Sequence, residues 1–224
     1  DFTIGNSTKK INMNNKIIYQ ENLKRYEDCY SPAIFLDRDG VIIKDQNYIS
    51  DSEKVYLEKG AKNFLQTAYY FQWKVVVVTN QSGIARGYLD WDKYEEITEK
   101  MIQLLGYPNK ITAIYANDVI SDDKFITWRK PSPKMLLQAS KDLKIDLKNS
   151  ILIGDRYSDL LAGLNAGLKS LYHVFTGHGY FERSSIIKKL DRNGQINLNN
   201  KFSNVFFINS LVEFDSSVLK HNIL

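Results

Sequence analysis

Lys74-Val75-Val76-Val77-Val78-Thr79 sets four valines side by side, a run that a half-buried element cannot use. Successive side chains of a strand point to opposite faces. Such a run is therefore a strand covered on both faces, as in parallel sheets packed between helices. Shorter apolar runs of the same kind stand at Ala33–Leu36, Ile111–Tyr115 and Ser150–Ile153, with a weaker one at Val205–Ile208. Amphipathic stretches separate them: Ala61–Phe71 before the second run, Trp91–Leu105 before the third, Pro133–Leu143 before the fourth and Ser158–Ala166 after it. Strands alternating with helices predict an α/β fold with a parallel sheet and right-handed crossovers. Ligands of such sheets sit at the carboxyl ends of the strands. Residues 1–30, polar and rich in Asn and Lys, read as an extension packed loosely on a domain of residues 31–224.

Each strand run is followed by polar residues. Asp37-Arg38-Asp39-Gly40 follows the first, where the chain turns and both carboxylates can face one small volume. Two carboxylates in one pocket are costly unless a cation or a proton sits between them. Metal binding, acid–base work or both would account for the pair, and so would a solvated turn, where Asp and Gly are common. Thr79-Asn80-Gln81-Ser82-Gly83 follows the second run, a loop leading to Arg129-Lys130-Pro131 follows the third, and Gly154-Asp155-Arg156-Tyr157-Ser158-Asp159 follows the fourth. Singly these are ordinary residues: a turn Thr, a surface Lys, an Asp that caps a helix. In order, each after its own strand, they converge on one edge of the sheet as several carboxylates, a hydroxyl and a lysine. That is the equipment of phosphoryl transfer, which needs a nucleophile, charge neutralisation and a proton for the leaving oxygen.

Composition excludes other classes. A single cysteine, Cys29, leaves no disulfide framework or cysteine-rich zinc site and fits a reducing, cytoplasmic location. No stretch is long and apolar enough to span a bilayer, and no signal peptide is visible, so no membrane partner is expected. The net charge of +4 is modest and its basic residues are scattered, which argues against nucleic acid as a partner. The sequence leaves open a monomer or a small homo-oligomer.

The four strand-end motifs, Asp37-x-Asp39, Thr79, Lys130 and Asp155-x-x-x-Asp159, resemble in kind and order those of the haloacid dehalogenase (HAD) superfamily of aspartyl-phosphate phosphatases, over roughly residues 33–179. The resemblance implies a HAD-type Rossmann-like parallel sheet with helices on both faces and no large cap domain. It implies Asp37 as nucleophile and Asp39 as the acid and then the base. It further implies Mg²⁺ held by Asp37, the backbone carbonyl of Asp39 and Asp155 with support from Asp159, Thr79 and Asn80 on the phosphoryl oxygens, and Lys130 screening Asp37. Asp37-Arg38-Asp39-Gly40-Val41-Ile42, the string from Thr79 to Tyr88, Arg129-Lys130-Pro131 and Thr176-Gly177-His178-Gly179 look like the branch holding heptose bisphosphate phosphatases and histidinol-phosphatases. The Ser-Gly-Ile-Ala-Arg-Gly continuation favours the heptose side. Arg86 and Arg129 suit a second phosphate or sugar hydroxyls. His173 and His178 read as a structural and a loop residue.

One departure stands out. Members of this branch carry a zinc loop of Cys and His before Arg-Lys-Pro, and residues 117–128 here contain neither, so no zinc is expected and Trp128 closes the loop by packing. The resulting expectation is a Mg²⁺-dependent phosphatase of a small phosphorylated substrate, a sugar phosphate, with heptose 1,7-bisphosphate foremost. Histidinol phosphate, a polyol phosphate, a 3′-phosphorylated nucleic-acid end, and a non-catalytic phospho-ligand binder on the same fold stand as alternatives.

Overall fold

A computed structural model gives the structure of residues 9–12, 17–20, 30–120 and 128–222, the first two segments and residues 221–222 as backbone. Among these residues nine strands form one sheet: β1 (Lys9–Asn12), β2 (Ile17–Gln20), β3 (Ala33–Leu36), β4 (Lys74–Asn80), β5 (Ala113–Asn117), β6 (Ile151–Gly154), β7 (Ser170–Val174), β8 (Gln195–Leu198) and β9 (Lys201–Ile208). Their order is β1-β2-β5-β4-β3-β6-β7-β9-β8. The inner strands from β5 to β9 run parallel, while β1, β2 and β8 are antiparallel additions at the two edges. Among the described residues six α-helices accompany them: α1 (Ala61–Tyr70), α2 (Ser82–Ala85), α3 (Trp91–Leu105), α4 (Lys134–Leu143), α5 (Tyr157–Ala166) and α6 (Gly179–Ile187).

The valine run does what its composition demands. Val75 and Val77 join one core, with Ile34, Leu36, Phe64 and Leu65 of α1 and Tyr94, Ile97 and Met101 of α3. Val76 and Val78 join the other, with Phe35, Tyr115, Met135 and Leu136 of α4 and Leu160 of α5. Each buried valine contributes roughly 1.5–3 kcal/mol, so both faces hold the strand in one register. Helix α3 starts where Asp90 accepts a hydrogen bond from the Lys93 N–H at 2.8 Å. Trp128 packs on the second core, its ring 6.4 Å from that of Tyr115.

Two strands differ from the sequence reading by more than one residue at an end. The third parallel strand begins at Ala113, not Ile111, and runs on to Asn117, which pairs with Asn80 of β4. The last begins at Lys201 rather than Val205, because β8 folds back on it and extends the pairing. Strand β7, helix α6 and the β1–β2 pair are further elements. From Asp37 to Thr79 the chain holds a short flap and α1, with no inserted cap domain. No helix among the described residues is long and apolar enough to cross a membrane.

Candidate active site

Strands β3, β4, β5, β6 and β7 end on one edge of the sheet, and the polar residues that follow them meet there. Lys130 is buried, and its ammonium lies 2.9 Å from Asp37 Oδ2, 2.6 Å from Asp159 Oδ1 and 2.9 Å from the carbonyl oxygen of Val78. Asp37, Asp155 and Asp159, all buried, each place a carboxylate oxygen within 4.8 Å of the others. Burial pushes the Asp37 carboxyl up to about 6, although Lys130 pulls it down. Burial also lifts Asp155 well above the usual carboxylate range, with Asp159 and Asp37 adding to the rise. For Lys130 burial acts to lower the pKa, and the carboxylates of Asp159 and Asp37 outweigh it and raise it. The lysine alone thus leaves excess negative charge out of water.

Backbone approach makes this crowding possible. Gly40 and Gly177 both adopt positive φ, and a Cβ on either would stand 2.4 or 2.3 Å from Asp155 Oδ2. A Cβ on Gly154 would meet the Asp159 side chain at 2.3 Å. Asp159, on the first turn of α5, reaches back to accept from the Arg156 N–H at 3.0 Å, half of a capping box. The other Asp155 oxygen, Oδ1, is buried without a hydrogen-bond partner among the described residues. A buried unpaired carboxylate oxygen beside two further carboxylates is a hard-oxygen donor set that fits a divalent cation.

Asp39 faces elsewhere. Its carboxylate accepts from Arg38 Nε and Nη2 at 3.1–3.3 Å and from Gln81 Nε2 at 2.8 Å. Its side chain is outside the group formed by Asp37, Asp155 and Asp159, which leaves only its backbone carbonyl for the metal role expected of it. Thr79 is buried at the end of β4, and its hydroxyl accepts from Gln81 Nε2 at 2.8 Å. Asn80 uses its side chain on the backbone of Lys130, accepting from the N–H at 3.0 Å and donating to the carbonyl at 3.3 Å. It therefore fixes the Arg129-Lys130-Pro131 turn as well as lining the cavity.

That cavity, of about 500 Å³, is lined by Asp37, Asp39, Asn80 and Lys130, and its walls carry Arg86, Arg129 and Arg156. Arg129 donates to the Val119 carbonyl at 3.2 Å. Arg156, Asp45, Tyr48 and His178 also line it and were not singled out by sequence reasoning as substrate-facing. Asp45 lies on the flap, 3.5 Å from His178 Nδ1 and 4.0 Å from Arg156. The only sequence signal for Arg156 was its place beside Asp155, and for Asp45 there was none. His173 is fully buried, with Nε2 3.0 Å from the Asp155 carbonyl, and burial lowers its pKa to about 4. It is a neutral structural link. Most of the segment expected to replace a zinc loop, residues 121–127, lies outside the described residues.

Three comparisons bear on this site. A family model described as HAD-hydrolase-like matches residues 127–189. The D-glycero-beta-D-manno-heptose-1,7-bisphosphate 7-phosphatase of Helicobacter pylori is 39% identical over 142 residues, covering 62% of this chain and 80% of that protein. The corresponding D-glycero-alpha-D-manno enzyme of Photorhabdus laumondii is 38% identical over 162 residues, 64% of this chain and 82% of that one. Among solved structures, the D,D-heptose 1,7-bisphosphate phosphatase of B. bronchiseptica, complexed with magnesium and phosphate, superposes with a TM-score of 0.65 at 27% identity, covering 78% of this chain and 92% of that one. Sharing this much sequence with such proteins over four fifths of their length, and folding as they do, the chain belongs to the HAD-like phosphatases, in the heptose-bisphosphate branch of that family.

Proposed function

We propose that the protein removes the 7-phosphate from a D-glycero-D-manno-heptose 1,7-bisphosphate in a Mg²⁺-dependent reaction. The observation that carries this reading is the placement of Asp37, held by Lys130 at 2.9 Å, beneath a cavity whose walls bear Arg86, Arg129 and Arg156. A nucleophile at the floor and guanidinium groups above it suit a substrate with one phosphate to cleave and a second anionic group to grip. The names of relatives 38–39% identical support the sugar.

In this reading an Asp37 oxygen bonds to phosphorus as the bond from phosphorus to the sugar oxygen breaks, and Asp39 gives that oxygen its proton. Water then bonds to phosphorus, its proton passes to Asp39, and the bond to Asp37 breaks to release phosphate. The Thr79 hydroxyl and Asn80 contribute to holding the phosphoryl oxygens. Asp37, Asp155 and Asp159, with the Asp39 carbonyl, would hold Mg²⁺, which supplies positive charge to the phosphoryl oxygens.

The test is phosphate release from heptose 1,7-bisphosphate, histidinol phosphate, hexose and polyol phosphates and a 3′-phosphorylated oligonucleotide. The heptose bisphosphate should show the highest kcat/KM and yield one phosphate per sugar. A higher kcat/KM for any other ester would overturn the substrate assignment. Metal binding has its own readout. Mg²⁺ at about 100 times its Kd should stabilise the protein by about 2.7 kcal/mol, and Asp155→Asn should largely abolish that gain. Because Asp37 is protonated below about 6 in the metal-free protein, the proton competes with the cation. The Mg²⁺-induced shift in Tm should therefore shrink as pH falls from 7 to 5.

A further inference from the structure

Gln81 has every hydrogen-bonding group of its side chain engaged, and two of its three partners, Asp39 and Thr79, belong to the chemistry proposed above. Its Oε1 accepts from Arg38 Nη2 at 3.0 Å, and its Nε2 donates to Asp39 Oδ2 and to Thr79 Oγ1, both at 2.8 Å. A guanidinium only donates. Arg38 therefore dictates which end of the amide is oxygen, and the NH₂ must face Asp39 and Thr79. Arg38 is itself buried and held: it is 1% exposed, its guanidinium lies 4.9 Å over the Tyr94 ring, and it forks onto the Asp39 carboxylate. A hydroxyl that accepts from an amide keeps its own hydrogen free to donate. At Thr79 that hydrogen is the one a phosphoryl oxygen would take.

We propose that Gln81, oriented by Arg38, is a positioning residue that sets two groups at once: the aim of the Asp39 carboxylate at the ester oxygen and the presentation of the Thr79 hydroxyl as a donor. The proposal rests on Asp39 as the acid–base group and Thr79 as a phosphoryl contact. Gln81 acts through them and touches no reacting atom. One side chain thereby couples phosphoryl binding to proton delivery, and an acceptor-only replacement should damage both. In Gln81→Glu, a carboxylate would face Asp39 and draw the Thr79 hydrogen away from the substrate. Gln81→Leu would remove both donors without adding an acceptor.

The experiment compares kcat/KM for p-nitrophenyl phosphate, whose leaving group departs without a proton, with that for an alkyl ester. The alkyl ester is heptose 1,7-bisphosphate or, if the panel favours it, histidinol phosphate. Wild type, Gln81→Glu, Gln81→Leu and Asp39→Asn are measured with Mg²⁺, and Tm is recorded for each. Both Gln81 variants should lose more on the alkyl ester, widening the ratio between substrates by about 10-fold or more, a fraction of what an acid–base group supplies. Gln81→Glu should show the larger rise in KM for both substrates. An unchanged ratio in both Gln81 variants would mean that Gln81 is merely structural. If Asp39→Asn itself leaves the ratio unchanged, the acid–base reading of Asp39 falls and the proposal with it. That failure is visible apart from the first. A lowered Tm with an unchanged ratio also counts against the proposal, since misfolding slows both substrates alike.

Discussion

Replacing Asp37 by Asn should lower turnover of every phosphate ester by about 10⁶, the scale on which enzymes lose activity with their nucleophile, without harming the fold. Asn keeps the shape of the side chain and an oxygen able to accept from the Arg38 N–H, which in the wild type lies 2.7 Å from Asp37 Oδ1. What it cannot supply is an anionic oxygen to bond phosphorus. The Lys130 ammonium loses one partner but keeps Asp159 at 2.6 Å and the Val78 carbonyl. Burial already disfavours the charged form of Asp37, so removing that charge should leave Tm unchanged or raise it. Steady-state phosphate release and a thermal melt on the same preparation check both halves. Retained turnover would remove the aspartyl-phosphate mechanism, and a large fall in Tm would mean that Asp37 is needed for folding.

Lys130→Met should have the largest effect on stability. The substitution keeps an apolar stem of similar length and deletes the ammonium lying between Asp37 and Asp159. Breaking a buried ion pair from one side costs about 3–5 kcal/mol, which in a chain of this size lowers Tm by on the order of 10 °C. A divalent cation would take over part of the lost charge, so Mg²⁺ should restore more stability to the variant than it adds to the wild type. Activity should fall by on the order of 10²–10³, the loss seen when one preorganised electrostatic group is removed. Chemical denaturation of both proteins with and without Mg²⁺ decides the matter, and equal midpoints without metal would contradict it. The ammonium's three hydrogens already meet Asp37, Asp159 and the Val78 carbonyl. In this structure Lys130 therefore lies as a brace between Asp37 and Asp159.

The parallel sheet was legible because its strands advertise themselves: a residue such as Val76 or Val77 has few other uses in such numbers. Strand β7 was not, although His173 reads as a structural residue in an apolar stretch; the fold adds that it is buried against the Asp155 carbonyl. The edge strands were missed for a related reason. They are four residues long, with polar residues mixed among apolar ones, and pairing can depend on partners far along the chain, as Gln20 on Ala113. At the site, Asp37, Thr79, Lys130 and Asp155 could be read from residue type and order. Arg38 and Gln81 stood inside the same strings and passed unremarked, because what they do is set by partners that only the folded chain supplies. Gln81 reaches Asp39 across 42 residues of sequence.

The β1–β2 pair has a consequence for how molecules of this protein meet one another. Without it the sheet would end on β5, whose residues Ala113–Asn117 are all buried, and an apolar strand with free N–H and C=O groups along one side is a template for another chain. With it in place, both margins of the sheet are antiparallel strands of four residues, Lys9–Asn12 at one side and Gln195–Leu198 at the other. Short margins, one of them opening on two lysines, offer a neighbouring copy little to pair with. The β1–β2 pair thus covers the edge of β5 and leaves in its place an outer strand of four residues.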